Sequence, residues 1–260
     1  MSYNTVIYTK KEHVAHITLN RPEANNVINQ QLAQELEEVC QQINQDDDIY
    51  VAIITGSGDG AFCPGSELEQ SIQAGEAFQA SSAKSEYSAA VAIASIDRPV
   101  IAAINGDALG QGLELALSCD IRLASKDARL GFPQVALRLI PMDGGTQRLP
   151  RIVGKGKALE LILTAETISA DEAFEIGLVN KVVAREELAP DAEAIARTMA
   201  TKGPIALRYI KEAVNKGEDL TLEQGLRLEA DLYFILHTTA DRAEGIKAFL
   251  RKKPPRFKAR

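Results

Sequence analysis

The residues able to do chemistry in this chain sit in two glycine-bearing loops and on a few carboxylates. The first loop reads Ala61-Phe62-Cys63-Pro64-Gly65-Ser66-Glu67-Leu68, the second Gly106-Asp107-Ala108-Leu109-Gly110-Gln111-Gly112-Leu113-Glu114. A glycine just ahead of a helix lets the backbone turn and leaves first-turn N–H groups pointing outward. Two such groups converging on one point would form an oxyanion hole. Taken singly, each loop is equally a turn with a helix cap. Neither runs on into Gly-Lys-Ser or Gly-Lys-Thr, so neither is a phosphate-binding P-loop. Glu114 lies in the apolar run Leu113–Ala116. Burying a carboxylate there is costly unless it is wet or hydrogen-bonded, and raises its pKa toward the range useful for proton transfer. The bland alternative is a helix glutamate facing solvent. Asp143, in Ile140-Pro141-Met142-Asp143-Gly144-Gly145, stands where an aspartate would cap the following helix. The three histidines are His13, His16 and His237, so acid–base work anywhere between must fall on carboxylates.

The elements that position these residues follow from pattern. Residues 5–19 read as two strands around Lys10-Lys11-Glu12, and 29–45 as an amphipathic helix from the spacing of Leu32, Leu36, Val39 and Ile43. Val51–Thr55 and Pro99–Ile104 are buried strands that each end in a glycine loop. Asp120–Ala124 and Leu130–Phe132 are strands again. Strand, loop and helix alternate to about residue 185, which implies an α/β architecture with its sites at loops and helix starts. Strand signals then stop: Pro204–Asn215 and Leu220–Leu250 are helical by period. The expected organisation is a core over 1–198 and a helical region over 199–260.

Composition bounds the function. The chain has 260 residues, 45% hydrophobic and 25% charged, with a net charge of −7. That is ordinary globular composition, and the sign disfavours nucleic acid or an anionic membrane as partner. Cys40, Cys63 and Cys119 are odd in number and scattered, which points to a reducing compartment and a cytoplasmic location. No Cys or His spacing suits zinc, no apolar run is long enough to span a bilayer, and the start MSYNTVIYTKKEHV lacks the apolar region of a secretory signal. Cys63 and Cys119 read as core residues, with no neighbour to stabilise a thiolate.

Several long motifs occur together and in order: AFCPGSEL, then INGDALGQGLELALSCDIRLAS, then IPMDGGTQRLPRIVGKGKALELILTAETISADEAFEIGLVNKVV, flanked by HITLNRP and AEGIKAFLRKKPPRF. On these the chain resembles the enoyl-CoA hydratase/isomerase (crotonase) superfamily over nearly its whole length. The resemblance implies a spiral of repeated ββα units, a C-terminal helical region used for trimers or dimers of trimers, and an acyl-CoA thioester substrate. It assigns the oxyanion donors to the backbone N–H groups of Ser66 and Gln111, each such donor being worth about 3–4 kcal/mol in a transition state. The family more often has glycine at the place of Gln111, but the N–H survives provided the backbone there is helical. Glu114 is the implied main acid–base residue. Asn26, Val27, Ser66, Glu67, Leu68 and Gly110 are the implied substrate and CoA contacts, with helix capping a competing role for Glu67. The usual basic residue after Pro22 is absent, Ala24 and Asn25 taking its place. No metal and no cofactor beyond the substrate's own CoA is expected.

One departure shapes the expected reaction. Family hydratases hold a water between two glutamates, and the second follows a proline; here the phrase is Phe132-Pro133-Gln134. Gln134 can orient a water but cannot take or give a proton as a carboxylate does. Asp143 stands where hydratases of the family usually have a small residue. In dienoyl-CoA isomerases an aspartate of this loop moves a proton, and in chlorobenzoyl-CoA dehalogenases it is a nucleophile; the latter also need an active-site histidine, which this chain lacks. The expectation is a hydro-lyase acting on an unsaturated acyl-CoA through Glu114, Asp143 and Gln134, most specifically on a cyclic dienoyl-CoA. The rivals are a double-bond isomerase and a non-catalytic acyl-CoA binder.

Overall fold

The computed structural model describes residues 3–67, 69 and 88–260. Strands β1 (Val6–Lys11) and β2 (Val14–Leu19) pair antiparallel, with Lys11 opposite Val14. The turn is therefore Glu12-His13, later than the expected Lys10–Glu12, with Glu12 left-handed at φ 54°. Lys10 and Lys11 stay in the strand because β1 is an edge, where an outward lysine is tolerated. Strands β3 (Val51–Gly56), β4 (Val100–Ile104), β6 (Ile121–Ser125) and β9 (Lys181–Val183) continue the sheet in parallel, in the order β1-β2-β3-β4-β6-β9. The β-branched and small residues of β3 and β4 suit strands covered on both faces.

A second sheet contains β5 (Ala108–Leu109), β7 (Arg129–Gly131) and β8 (Thr167–Ser169). Single bridges Cys63–Ala108 and Ile28–Ser66 extend the same layer toward the N-terminus. The chain thus visits the large sheet and then the small layer on successive passes: β3 then Cys63, β4 then β5, β6 then β7. This is the spiral, and it stacks the two glycine loops beside each other.

Helices fill the remaining faces. α1 (Gln30–Gln45) buries Leu32, Leu36, Val39 and Ile43, and the Asn29 side chain accepts from Leu32 N at 2.8 Å as its cap. α2 (Ala89–Ala94) and α3 (Gln111–Leu117) sit inside the same core. α4 (Gly145–Val153), α5 (Lys155–Thr164) and α6 (Ala170–Glu175) follow. α7 (Arg185–Ala200) packs Leu188, Ala192 and Ala196 on the opposite face of the large sheet. It ends at Ala200, so the boundary expected at 198 falls within its last turn.

Beyond it lie α8 (Pro204–Gly217), α9 (Leu222–His237) and α10 (Ala240–Arg251). The helical period from Leu220 to Leu250 predicts one stretch, but it divides at Thr238-Thr239. There the Thr239 hydroxyl accepts from Arg242 N at 3.2 Å and caps a new helix. The tail folds back, with Lys258 N donating to Asp241 Oδ1 at 2.7 Å. No helix among the described residues is long and apolar enough to cross a membrane.

Candidate active site

The two glycine loops are hydrogen-bonded to each other. Cys63 N donates to Asp107 O at 3.1 Å and Leu109 N to Cys63 O at 3.0 Å. On the outer side, Ile28 N donates to Gly65 O and Glu67 N to Ile28 O, at 2.9 and 2.8 Å. This pairing brings Ser66 beside the start of α3. Gly112 permits it: a Cβ there would lie 1.8 Å from the Cys63 carbonyl oxygen. Gly110, at φ 53°, turns the chain into α3, whose first residue is Gln111. The helical conformation that keeps the Gln111 N–H available is therefore present.

Both N–H groups are aimed at one carboxylate, that of Glu69. Ser66 N donates to Glu69 Oε2 at 3.0 Å, and the Gln111 backbone N–H donates to the same carboxylate. Gln134 Nε2 donates to Glu69 Oε1 at 2.9 Å. Glu69 N in turn donates to Ser66 Oγ at 3.3 Å, so Ser66 and Glu69 form a reciprocal capping box. Burial raises the pKa of Glu69, and the three hydrogen bonds hold it back in part. Glu69 was not among the residues singled out in the sequence; its signal was the spacing Ser66-x-x-Glu69.

Glu114 is fully buried on α3. Its Oε1 accepts from Asp143 N at 2.8 Å and Gly145 N at 2.7 Å. Its Oε2 has no hydrogen-bond partner among the described residues. Burial pushes the carboxyl up to about 7; the two backbone donors oppose this, and the charges of Asp143 and Glu69 add to it. One oxygen is thus fixed and the other is available, at a pKa suited to proton transfer near neutrality.

Asp143 faces away from its own helix. Its carboxylate accepts from Ser88 Oγ and Ala90 N, both at 2.8 Å, and so caps α2 from across the site. The helix that follows it, α4, is entered through Gly144 with no side-chain cap. Arg148 donates to the Asp143 carbonyl at 2.7 Å, and Arg151 pairs with Asp219 at 3.1 Å. Gln134 sits in a 3-10 turn over Pro133–Leu137, buried, with Oε1 unpartnered among the described residues.

The remaining sequence candidates are placed differently. The Asn26 side chain is buried and fully engaged: Oδ1 accepts from Arg21 N and Ser57 Oγ, and Nδ2 donates to Ser57 O and Ala61 O. It braces the loop and leaves no side-chain atom for CoA. The Val27 carbonyl and Glu67 Oε1 both accept from the Arg21 guanidinium at 2.7 Å. Glu67 therefore forms an ion pair, and the cap expected of it is supplied by Ser66. Leu68 lies outside the described residues. Cys40, Cys63 and Cys119 are buried thiols whose pKa burial pushes up to about 12. His13 stacks on Tyr50 and His16 pairs with Glu193, away from these loops.

A crotonyl-CoA hydratase of Syntrophomonas wolfei is 42% identical over 99% of this chain and 99% of its own. A short-chain-enoyl-CoA hydratase of Clostridium acetobutylicum is 39% identical over 97% of each. The crystal structure of an enoyl-CoA hydratase from Bacillus anthracis superposes with a TM-score of 0.92 at 40% identity, covering 99% of this chain and 100% of that one. The family profile described as enoyl-CoA hydratase/isomerase matches residues 9–260, and the chain belongs to that family.

Proposed function

We propose that this protein is a hydro-lyase that adds water across the α,β double bond of an enoyl-CoA thioester, or removes it in reverse. The observation that carries the reading is Glu114: one oxygen held by two backbone N–H groups, the other with no partner among the described residues, at a pKa of about 7. The thioester oxygen takes the place between the N–H groups of Ser66 and Gln111, which stabilise the enolate-like charge that develops there. Glu114 Oε2 removes a proton from water as the oxygen bonds to the β-carbon. Gln134 Oε1 accepts from the same water and orients it. The relatives named for crotonyl-CoA and short-chain enoyl-CoA support a short acyl chain as first choice. Purified protein is expected to hydrate crotonyl-CoA and to place solvent oxygen at the β-carbon. A product that is only a shifted double bond, without solvent oxygen, would make it an isomerase.

A second reading concerns conjugated and cyclic dienoyl-CoA substrates, with Asp143 moving a proton farther from the thioester. It is favoured by the closeness of Asp143 to Glu114, whose pKa its charge raises. It requires the Asp143 carboxylate to release Ser88 and Ala90. Loss of turnover in Asp143→Asn on a cyclohexadienoyl-CoA, with crotonyl-CoA turnover kept, would support it.

Assembly as a homotrimer, or as a hexamer of two trimers, belongs to the same proposal. Leu222, Leu226 and Phe234 on α9 and Ile246, Phe249 and Leu250 on α10 are exposed apolar side chains that association would cover. A cytoplasmic location accords with three free thiols.

A further inference from the structure

We propose that Glu69 is the second acid–base carboxylate of this site, held in the oxyanion hole until the thioester displaces it and then protonating the α-carbon. The inference rests on the hydratase reading above.

Hydration needs two proton transfers, and Gln134 cannot make one of them. Glu69 is the buried carboxylate bonded directly to Gln134, at 2.9 Å. A capping box accounts for its bond from Ser66 N. It does not account for the bonds from Gln111 N and Gln134, which come from α3 and from the turn after β7. These place the carboxylate where the thioester oxygen must bind. The α-carbon is attached to the carbonyl carbon, so a carboxylate moved out of the hole while still held by Gln134 lies next to it.

Displacement also prepares the acid. The N–H groups of Ser66 and Gln111 favour the ionised form of Glu69, and the thioester takes both away. The carboxylate is left in a buried site beside Glu114 and therefore gains a proton. Among the described residues, the titratable groups facing it are Glu114 on α3 and the Cys63 thiol of the first loop, and no lysine or arginine is hydrogen-bonded to it. The step then balances. Glu114 takes a proton from water as the O–Cβ bond forms, and the π electrons move into the enolate. The Glu69 O–H bond breaks, its proton goes to Cα, and the carbonyl re-forms. The proton on Glu114 leaves to solvent as product departs and Glu69 re-enters the hole ionised, which balances the proton taken up on binding.

Glu69→Gln is the informative variant, because glutamine at this place can keep a capping box but cannot carry the acid's proton. Butyryl-CoA, which has no double bond to hydrate, is titrated into wild type and variant by calorimetry in two buffers of different ionisation enthalpy. Wild type is expected to take up more protons per site than Glu69→Gln. On crotonyl-CoA, Glu69→Gln is expected to lose about 100-fold or more in kcat with little change in KM. Adding Gln134→Glu to it should restore at least tenfold. Equal proton uptake by the two proteins, or wild-type kcat in Glu69→Gln, would overturn the proposal. A wild type that hydrates no enoyl-CoA would refute the hydratase reading, while the butyryl-CoA titration would still decide whether Glu69 gains a proton.

Discussion

Asp143 and Glu114 are joined through the backbone while their charges oppose: the Asp143 N–H donates to Glu114 Oε1 at 2.8 Å, the Asp143 carboxylate is turned to Ser88 and Ala90, and its charge raises the Glu114 pKa. One residue therefore holds Glu114 Oε1 and caps α2. Asparagine keeps the peptide and one acceptor. Asp143→Asn is expected to retain crotonyl-CoA turnover within about tenfold and to lose about 1 kcal/mol of stability, the usual worth of such a cap. Denaturant unfolding and steady-state kinetics check the two halves separately.

In the proposed reaction Glu114 is the base, and a neutral amide cannot take the proton from water in its place. Glu114→Gln is expected to lower kcat by about 1000-fold, within the range general-base catalysis contributes, and to leave KM within a few-fold. Wild-type kcat/KM should rise with pH along a limb centred near 7, as burial sets the pKa there. Because Glu69 interacts with Glu114, the limb reports the pair. A pH–rate profile of both proteins tests this.

The same pKa governs stability. Glu114 is held at about 7 in the folded protein, above its ordinary value of 4.5. A raised pKa means that the folded state binds the proton more tightly. The associated stability is fully present below about 4.5 and is lost as pH rises through about 7. The difference is on the order of 3 kcal/mol. Glu114→Gln lacks this loss, so its stability relative to wild type should improve from pH 5 to pH 8. Urea midpoints across that range measure it.

Gly112→Ala places a methyl against a backbone oxygen that cannot rotate away. The two glycine loops must separate, at a cost of about 3 kcal/mol or more. Loss of turnover with a lowered Tm is the expected result, and circular dichroism with activity measurement shows whether both occur.

Phe234→Glu combined with Phe249→Glu puts a charge at an exposed apolar position of each of α9 and α10. If these positions lie in the subunit interface, light scattering should show a shift from oligomer to monomer with native secondary structure retained.

The fold and the burial of Glu114 were legible in the sequence because they rest on local pattern. The spacing of Leu32, Leu36, Val39 and Ile43 makes α1, and the apolar run around Glu114 buries it. Ser66 and Gln111 were assigned through the family resemblance, and the pairing of Cys63 with Ala108 supplies the physical reason they converge. What pattern could not show is where polar side chains turn once several elements meet. Asp143 faces α2 and not its own helix, Asn26 is spent inside its loop, and Glu67 pairs with Arg21. Glu69 was missed because Ser-x-x-Glu is an ordinary capping signature. Only the approach of Gln111 and Gln134 turns that cap into part of the site.

The three thiols give the molecule an internal reporter. Cys63 lies at the seam between the two glycine loops, Cys40 on α1, and Cys119 just past the end of α3, each inaccessible and protonated near neutral pH. An alkylating reagent can reach Cys63 only when that seam parts. Its modification rate, set against those of the other two, reads how often the catalytic loops breathe apart and how often the whole chain opens.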